Sequence, residues 1–232
     1  MLIDVHIPTN QGDEELTAAL DSARDHRLDG VVLAWDGPPD LTRIPANPGL
    51  EIYHGAEIAT EHGSLIAIPP AVDDELLKAQ YPNSDAHSGF DAVTAWCRER
   101  GWALILTQPF LSSPRLKTGD DSPIARVDAV EVTHGDEPLL ARDLAIEAAL
   151  GEGRGIVASG GGDPLRIGRF STLLLPTRDG QAGIVKAIRQ GAVWVVETGI
   201  RKLQLQGNDG SPQKRGRRRR RRRPEKSNQS AT

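Results

Sequence analysis

Cysteine is all but missing from this chain. Cys97 stands alone among 232 residues, so no internal disulfide and no thiolate zinc site can be built from it. Its setting, Ala95-Trp96-Cys97-Arg98 in a helical-looking run, marks a buried structural thiol rather than a nucleophile. Long apolar runs are missing as well. Nothing approaches about eighteen consecutive apolar residues, and the N-terminus lacks the basic, apolar, small-residue order of a secretory signal. A soluble, cytoplasmic protein with no membrane partner is expected.

Charge is present in quantity but divided unevenly. The whole chain has 28 basic and 32 acidic residues and a net charge of −4. From residue 204 onward it holds ten Lys or Arg (Lys214, Arg215, Arg217, Arg218, Arg219, Arg220, Arg221, Arg222, Arg223 and Lys226) against Asp209 and Glu225, a charge of +8. The remaining 18 basic and 30 acidic residues leave the body at −12. Bulk charge therefore excludes nucleic-acid binding by the body and allows it for the tail. Residues 204–232 also lose apolar content, and the arginines repel one another, so this stretch is expected to be disordered. It carries no aromatic residue for base stacking, so contact with RNA or DNA would be weakly sequence-selective and strongly salt-dependent.

Residues 1–203 read as alternating strands and helices. Leu2 to Ile7 alternates like a strand and stops at Pro8, which cannot donate to a ladder. Asp13 to Arg27 is an amphipathic helix with Leu16, Ala19, Leu20 and Ala23 on one stripe and acids in its first turn. Val31 to Trp35 is a continuous apolar run suited to a strand buried on both faces. Strands follow at 51–59 and 64–68, with His62-Gly63 suggesting a hairpin between them. The rhythm continues with a helix at 91–100, strands at 103–107 and 129–133, and a helix starting at Glu137-Pro138. Strands at 155–159 and 170–175, a helix at 183–190 and a strand at 192–196 complete it. Such alternation implies an α/β architecture, and closure into a barrel is consistent with the length.

The order of several short motifs resembles the PHP family, the polymerase and histidinol phosphatase domain, over about residues 1 to 203. The family's opening Asp-Leu-His-x-His-x-Thr is matched by Asp4-Val5-His6-Ile7-Pro8-Thr9. Its Thr-Asp-His strand end is matched by Trp35-Asp36-Gly37, and its Pro-Gly-x-Glu by His54-Gly55-Ala56-Glu57, followed by Gly63-Ser64. Its Ala-His-Pro is matched by Thr107-Gln108-Pro109, its hydrophobic-Glu-Val strand by Val130-Glu131-Val132, and its late Gly-Ser-Asp turn by Ala158 to Asp163. The resemblance implies a distorted (β/α)7 barrel, TIM-barrel-like, with metal ions at the carboxyl ends of its strands that activate water for phosphoester hydrolysis. The match is incomplete at the ligands. Pro8, Gly37, Ser64 and Gln108 stand where the family has histidines.

The candidate metal ligands are accordingly His6, Glu57, Asp4, Asp36 and Asp163. Asp4 and His6 would lie on one strand face, because side chains alternate with period two. Asp163 is either an oxygen ligand or the cap of the next turn. Glu131 reads as structural. His26, His54, His62 and His134 read as solvated or hydrogen-bonded, and Ser84-Asp85-Ala86-His87 as a chance copy of the late motif. Gly160-Gly161-Gly162 either offers N–H groups to an anion or is a flexible turn, and it lacks the P-loop and dinucleotide patterns. The cofactor expectation is none, or one divalent metal (Mn, Mg or Zn). Three functions follow. The first is a degenerate PHP-like protein, non-catalytic or regulatory, whose Arg tail contacts RNA or DNA. The second is a metal-dependent phosphoesterase with a reduced site. The third is an RNA-associated protein that uses the barrel as a folded carrier.

Overall fold

The computed structural model describes residues 1–45, 49–78, 81–82, 89–110, 122–135, 138–175 and 180–198. The Arg-rich tail and the 84–87 motif lie outside the described residues. One compact unit spans Met1–Gly199.

Its strands are β1 (Leu2–Pro8), β2 (Gly30–Trp35), β3 (Glu51–Thr60), β4 (Gly63–Ile68), β5 (Ala103–Thr107), β6 (Ala129–His134), β7 (Gly155–Ser159), β8 (Phe170–Leu174) and β9 (Val193–Glu197). They form one sheet in the order β7-β6-β5-β4-β3-β2-β1-β8-β9. β1, β2 and β3 pair in parallel, as do β5, β6 and β7, while β4 and β8 run against their neighbours. The sheet thus holds nine strands rather than the seven implied by the resemblance. The difference arises because β4 returns through the tight turn at Glu61-His62 as a hairpin, and β8 and β9 form a second antiparallel pair.

The sheet curls until its ends nearly meet. Thr172 Oγ1 on β8 accepts the Ala158 N–H of β7 and donates to the Ala158 carbonyl, both at 3.0 Å. At Gly155 of β7 an added Cβ would lie 2.7 Å from Val193 of β9, so glycine is what lets that edge close.

Inside the curl, every strand contributes to one apolar cluster, with short or branched aliphatic side chains such as Val5, Val32, Ala34, Ile66, Ile105, Ala129, Val157, Leu174 and Val193, and with Tyr53 from β3. Helix α5 (Gln181–Arg189) adds Ile184, Val185 and Ile188 to this interior. Gln181 at its start bonds both backbone groups of His54 and the Pro69 carbonyl, at 2.8 to 3.0 Å. Since Pro69 follows the reversed strand β4, α5 closes the end of the barrel where the parallel strands begin, and among the described residues the opposite end stays open.

Helices cover the outer face. α1 (Asp13–Asp25) buries Leu16, Ala19, Leu20 and Ala23 against Ile7, Val31 and Leu33. α3 (Phe90–Glu99) sets Phe90, Val93 and Cys97 among Leu65, Trp102, Leu104 and Val130. Burial holds the Cys97 thiol up at about 12, the inert structural role expected of it. The one-turn α2 (Asp74–Leu77) and α4 (Leu139–Gly151) complete the described helices. No described helix is long and apolar enough to cross a membrane.

Candidate metal centre and cavity

At the open end, where the parallel strands finish, lies a cavity of about 350 Å³ lined by His6, Pro8, Asn10, Glu57, Gly63, Ser64, Thr107, Gln108 and His134. Its floor is a set of polar groups centred on Glu131, whose carboxylate is fully buried. His6 Nδ1 lies 3.2 and 3.3 Å from the two Glu131 oxygens, and His134 Nδ1 lies 3.2 Å from Oε1. Ser159 Oγ donates to Oε1 at 2.5 Å and lies 3.2 Å from His134 Nδ1. The two imidazole rings sit 4.5 Å apart between centroids. Glu57 approaches the other nitrogen of His6 at 3.6 Å.

Two irregularities in the ladders assemble this set. On β6 the pairing with β7 steps from Glu131 opposite Val157 to Thr133 opposite Ala158, so two residues of β6 pass one of β7. Residues three apart on a regular strand face opposite ways. With the extra residue, Glu131 and His134 face the same way. On β1 the pairing moves from Asp4 opposite Val31 to Ile7 opposite Leu33. Val5 accordingly packs in the interior while Ile7 packs under α1, which strict alternation would forbid.

Electrostatics within the cluster are strongly coupled. Burial alone would push His6 down, but Glu131 and Glu57 beside it raise it to about 10. Burial would raise Glu131, and the two imidazoles override it and hold the carboxylate well below its ordinary range. Glu57 follows the same pattern, with burial opposed by His6 and Ser64 and a net lowering. His6 Nε2 is a buried polar atom with no hydrogen-bond partner among the described residues, and its ring borders the cavity.

The donor set suits a metal. His6, Glu131 and His134 each offer a ligand atom, all within 4.8 Å of one another. Bonds of about 2.0–2.2 Å in tetrahedral geometry put neighbouring ligand atoms about 3.3–3.6 Å apart. The imidazole-to-carboxylate separations of 3.2 and 3.3 Å lie close to that edge.

Of the residues proposed from sequence, His6 and Glu57 are brought together at the cavity. Asp4 is buried beside His6 but turned to the backbone, accepting the His6 N–H at 3.0 Å and the Gly160 N–H at 2.8 Å. Burial pushes it up to about 6 against those two bonds. Asp163 accepts the Leu165 N–H at 2.9 Å and pairs with Arg166 at 3.0 Å, which is the turn-capping alternative. Asp36 is exposed beyond the end of β2 and does not line the cavity. The reading of Glu131 as merely structural, and of His134 as ordinary, missed two of the three convergent groups. One signal for Glu131 was available: a carboxylate inside Ala129-Val130-Glu131-Val132 must be buried, and a buried carboxylate needs partners. For His54 the expectation describes what is seen, since Trp35 Nε1 donates to its Nδ1 at 3.1 Å.

No family model matches the chain, and no curated protein matches it either. Solved structures do. A protein of Bifidobacterium adolescentis, provisionally assigned as a metal-dependent phosphoesterase, superposes with a TM-score of 0.50 at 14% identity, over 68% of this chain and 86% of that one. An amidohydrolase of Chromobacterium violaceum, solved with bound sulfate and no metal, gives 0.51 at 11% identity, over 84% of this chain and 97% of that one. What the chain shares with both is the fold.

Proposed function

We propose that the chain is a PHP-like hydrolase with a reduced metal site, in which His6, Glu131 and His134 hold one divalent ion and a phosphoester is the substrate. The observation that carries this reading is the convergence of three ligand side chains, two of which, His6 and His134, line the open-end cavity. Two imidazoles and one carboxylate favour Zn, with Mn next and Mg last. When bound there, such an ion supplies Lewis acidity toward a phosphoryl oxygen.

The protein's own groups do the rest. Ser159 donates to Glu131 and fixes the carboxylate's orientation. Glu57, ionised and partly open to the cavity, is placed to accept a proton from a water there. The ion competes with the proton on His6, so its affinity should fall as pH drops.

The test is to strip the full-length protein with chelator, titrate Zn, Mn and Mg, and follow hydrolysis of an aryl phosphodiester. One equivalent of bound ion and restored turnover, both lost in Glu131→Ala, are expected. Absence of a stoichiometric ion together with no turnover overturns the reading.

A second reading is favoured by a separate observation. Glu131 is already satisfied by three protein donors, and Pro8, Ser64 and Gln108 line the cavity where the PHP resemblance implies histidines. On this reading the cluster is a metal-free ion pair and the protein is non-catalytic or regulatory. The failed titration above would select it. Independently of the site, we propose that the Arg-rich tail contacts RNA or DNA through phosphates.

A further inference from the structure

We propose that Gln108 is the ligand-gripping residue of the cavity, its carboxamide donating to a phosphoryl oxygen of the bound ester. This rests on the phosphoester reading and adds the recognition element to it.

The first observation is conformational. Gln108 has φ +45°, and only it and Arg27 among the described non-glycine residues have positive φ. Pro109 follows it, and a residue before proline is driven toward extended backbone, so the departure is twofold. Glycine would take this conformation without penalty. A long side chain kept at such a place has a use that outweighs its strain.

The second observation is position. Thr107 pairs with Glu131 across the β5–β6 ladder, so Gln108 is the next residue outward from the metal cluster at the strand ends. It lines the cavity with His6, Glu57 and His134.

The third is what the neighbouring hydroxyls already do. Thr107 Oγ1 donates to the Ser64 carbonyl at 3.1 Å, and Ser64 helps to hold the Glu57 carboxylate below its ordinary range. Both wall hydroxyls are therefore engaged within the protein, whereas a carboxamide supplies two N–H donors to a ligand oxygen.

Inorganic phosphate is the probe, titrated calorimetrically into the full-length protein with and without saturating Zn, alongside thermal melting. Gln108→Gly should melt at the same or a higher temperature and bind phosphate about tenfold to a hundredfold more weakly, the loss of a hydrogen bond to a charged group. Gln108→Glu, of equal size, should melt unchanged and bind still more weakly, because a carboxylate repels the anion. Unchanged phosphate affinity in either variant, or a lowered melting temperature in Gln108→Gly with affinity intact, overturns the assignment while leaving the phosphoester reading standing. Failure of the wild type to bind phosphate in either state overturns both.

Discussion

At the scale of the residue, Glu131 decides the character of the site. A fully buried carboxylate is tolerated because three donors converge on it, and removing its charge leaves two imidazoles with an uncompensated environment. Glu131→Gln is therefore expected to cost about 3–5 kcal/mol in urea unfolding of the metal-free protein. It should also change the pH dependence. His6 is raised from 6.5 to about 10, so its stabilisation is complete below 6.5 and is lost as pH rises through about 10. Glu131 is lowered, so its contribution is present above its ordinary value of 4.5 and is lost as pH falls below it. Asp4, raised from 3.8 to about 6, works against Glu131 over that interval, costing stability as it ionises. Urea midpoints of chelator-treated wild type should thus decline from pH 6.5 to about 10, and the decline should be shallower in Glu131→Gln, where Glu57 alone still faces His6. Equal slopes in the two proteins would show that the Glu131–His6 pair does not carry this dependence.

At the scale of the element, the outlines of the fold were legible and its irregularities were not. β5 and β7 begin and end where the apolar runs do, and α1 buries Leu16, Ala19, Leu20 and Ala23, the stripe set by their spacing. Those features follow from local pattern. The shifts on β1 and β6 are properties of a pairing between strands, so nothing within Asp4 to Ile7 or Glu131 to His134 announces them. Hence His6 and Glu57 could be named from sequence, whereas His134 could not be placed on the same face as Glu131. The triple glycine is a related case. Its alternatives were an anion nest or a flexible turn, yet Gly160 N–H is committed to Asp4 and Gly161 N–H to Ser159 Oγ. An added Cβ would lie 2.6 Å from Ile167 at Gly160, 2.8 Å from His134 at Gly161 and 2.7 Å from Pro8 at Gly162. The glycines are there so that three neighbours can close in. Gly161→Ala combines that contact with a φ of +67°, and is expected to cost about 1–3 kcal/mol. Because the displaced ring is His134, Zn affinity measured by competition with a chromogenic chelator should fall at least about tenfold with it. A destabilised variant with wild-type Zn affinity would remove His134 from the ligand set.

At the scale of the whole molecule, the dominant fact is the separation of charge: −12 on residues 1–203 and +8 on residues 204–232. An acidic body repels polyanions, so any affinity for nucleic acid must come from the tail and must exceed that repulsion. Phosphate contacts release counterions, and on duplex DNA log K falls with log salt by about 0.9 per phosphate neutralised. If Arg217 to Arg223 each meet one phosphate, the slope is about −6. Fluorescence anisotropy with a labelled duplex between about 50 and 200 mM salt would measure it, and unrelated sequences should give equal affinities because no aromatic residue lies in the tail to stack on bases. A protein ending at residue 203 should lose this binding while keeping the proposed metal site, since His6, Glu131 and His134 all lie within the compact unit Met1–Gly199. Duplex affinity retained by the truncated protein would place the contact on the body, against its net charge, and would end the assignment of the tail as the nucleic-acid element.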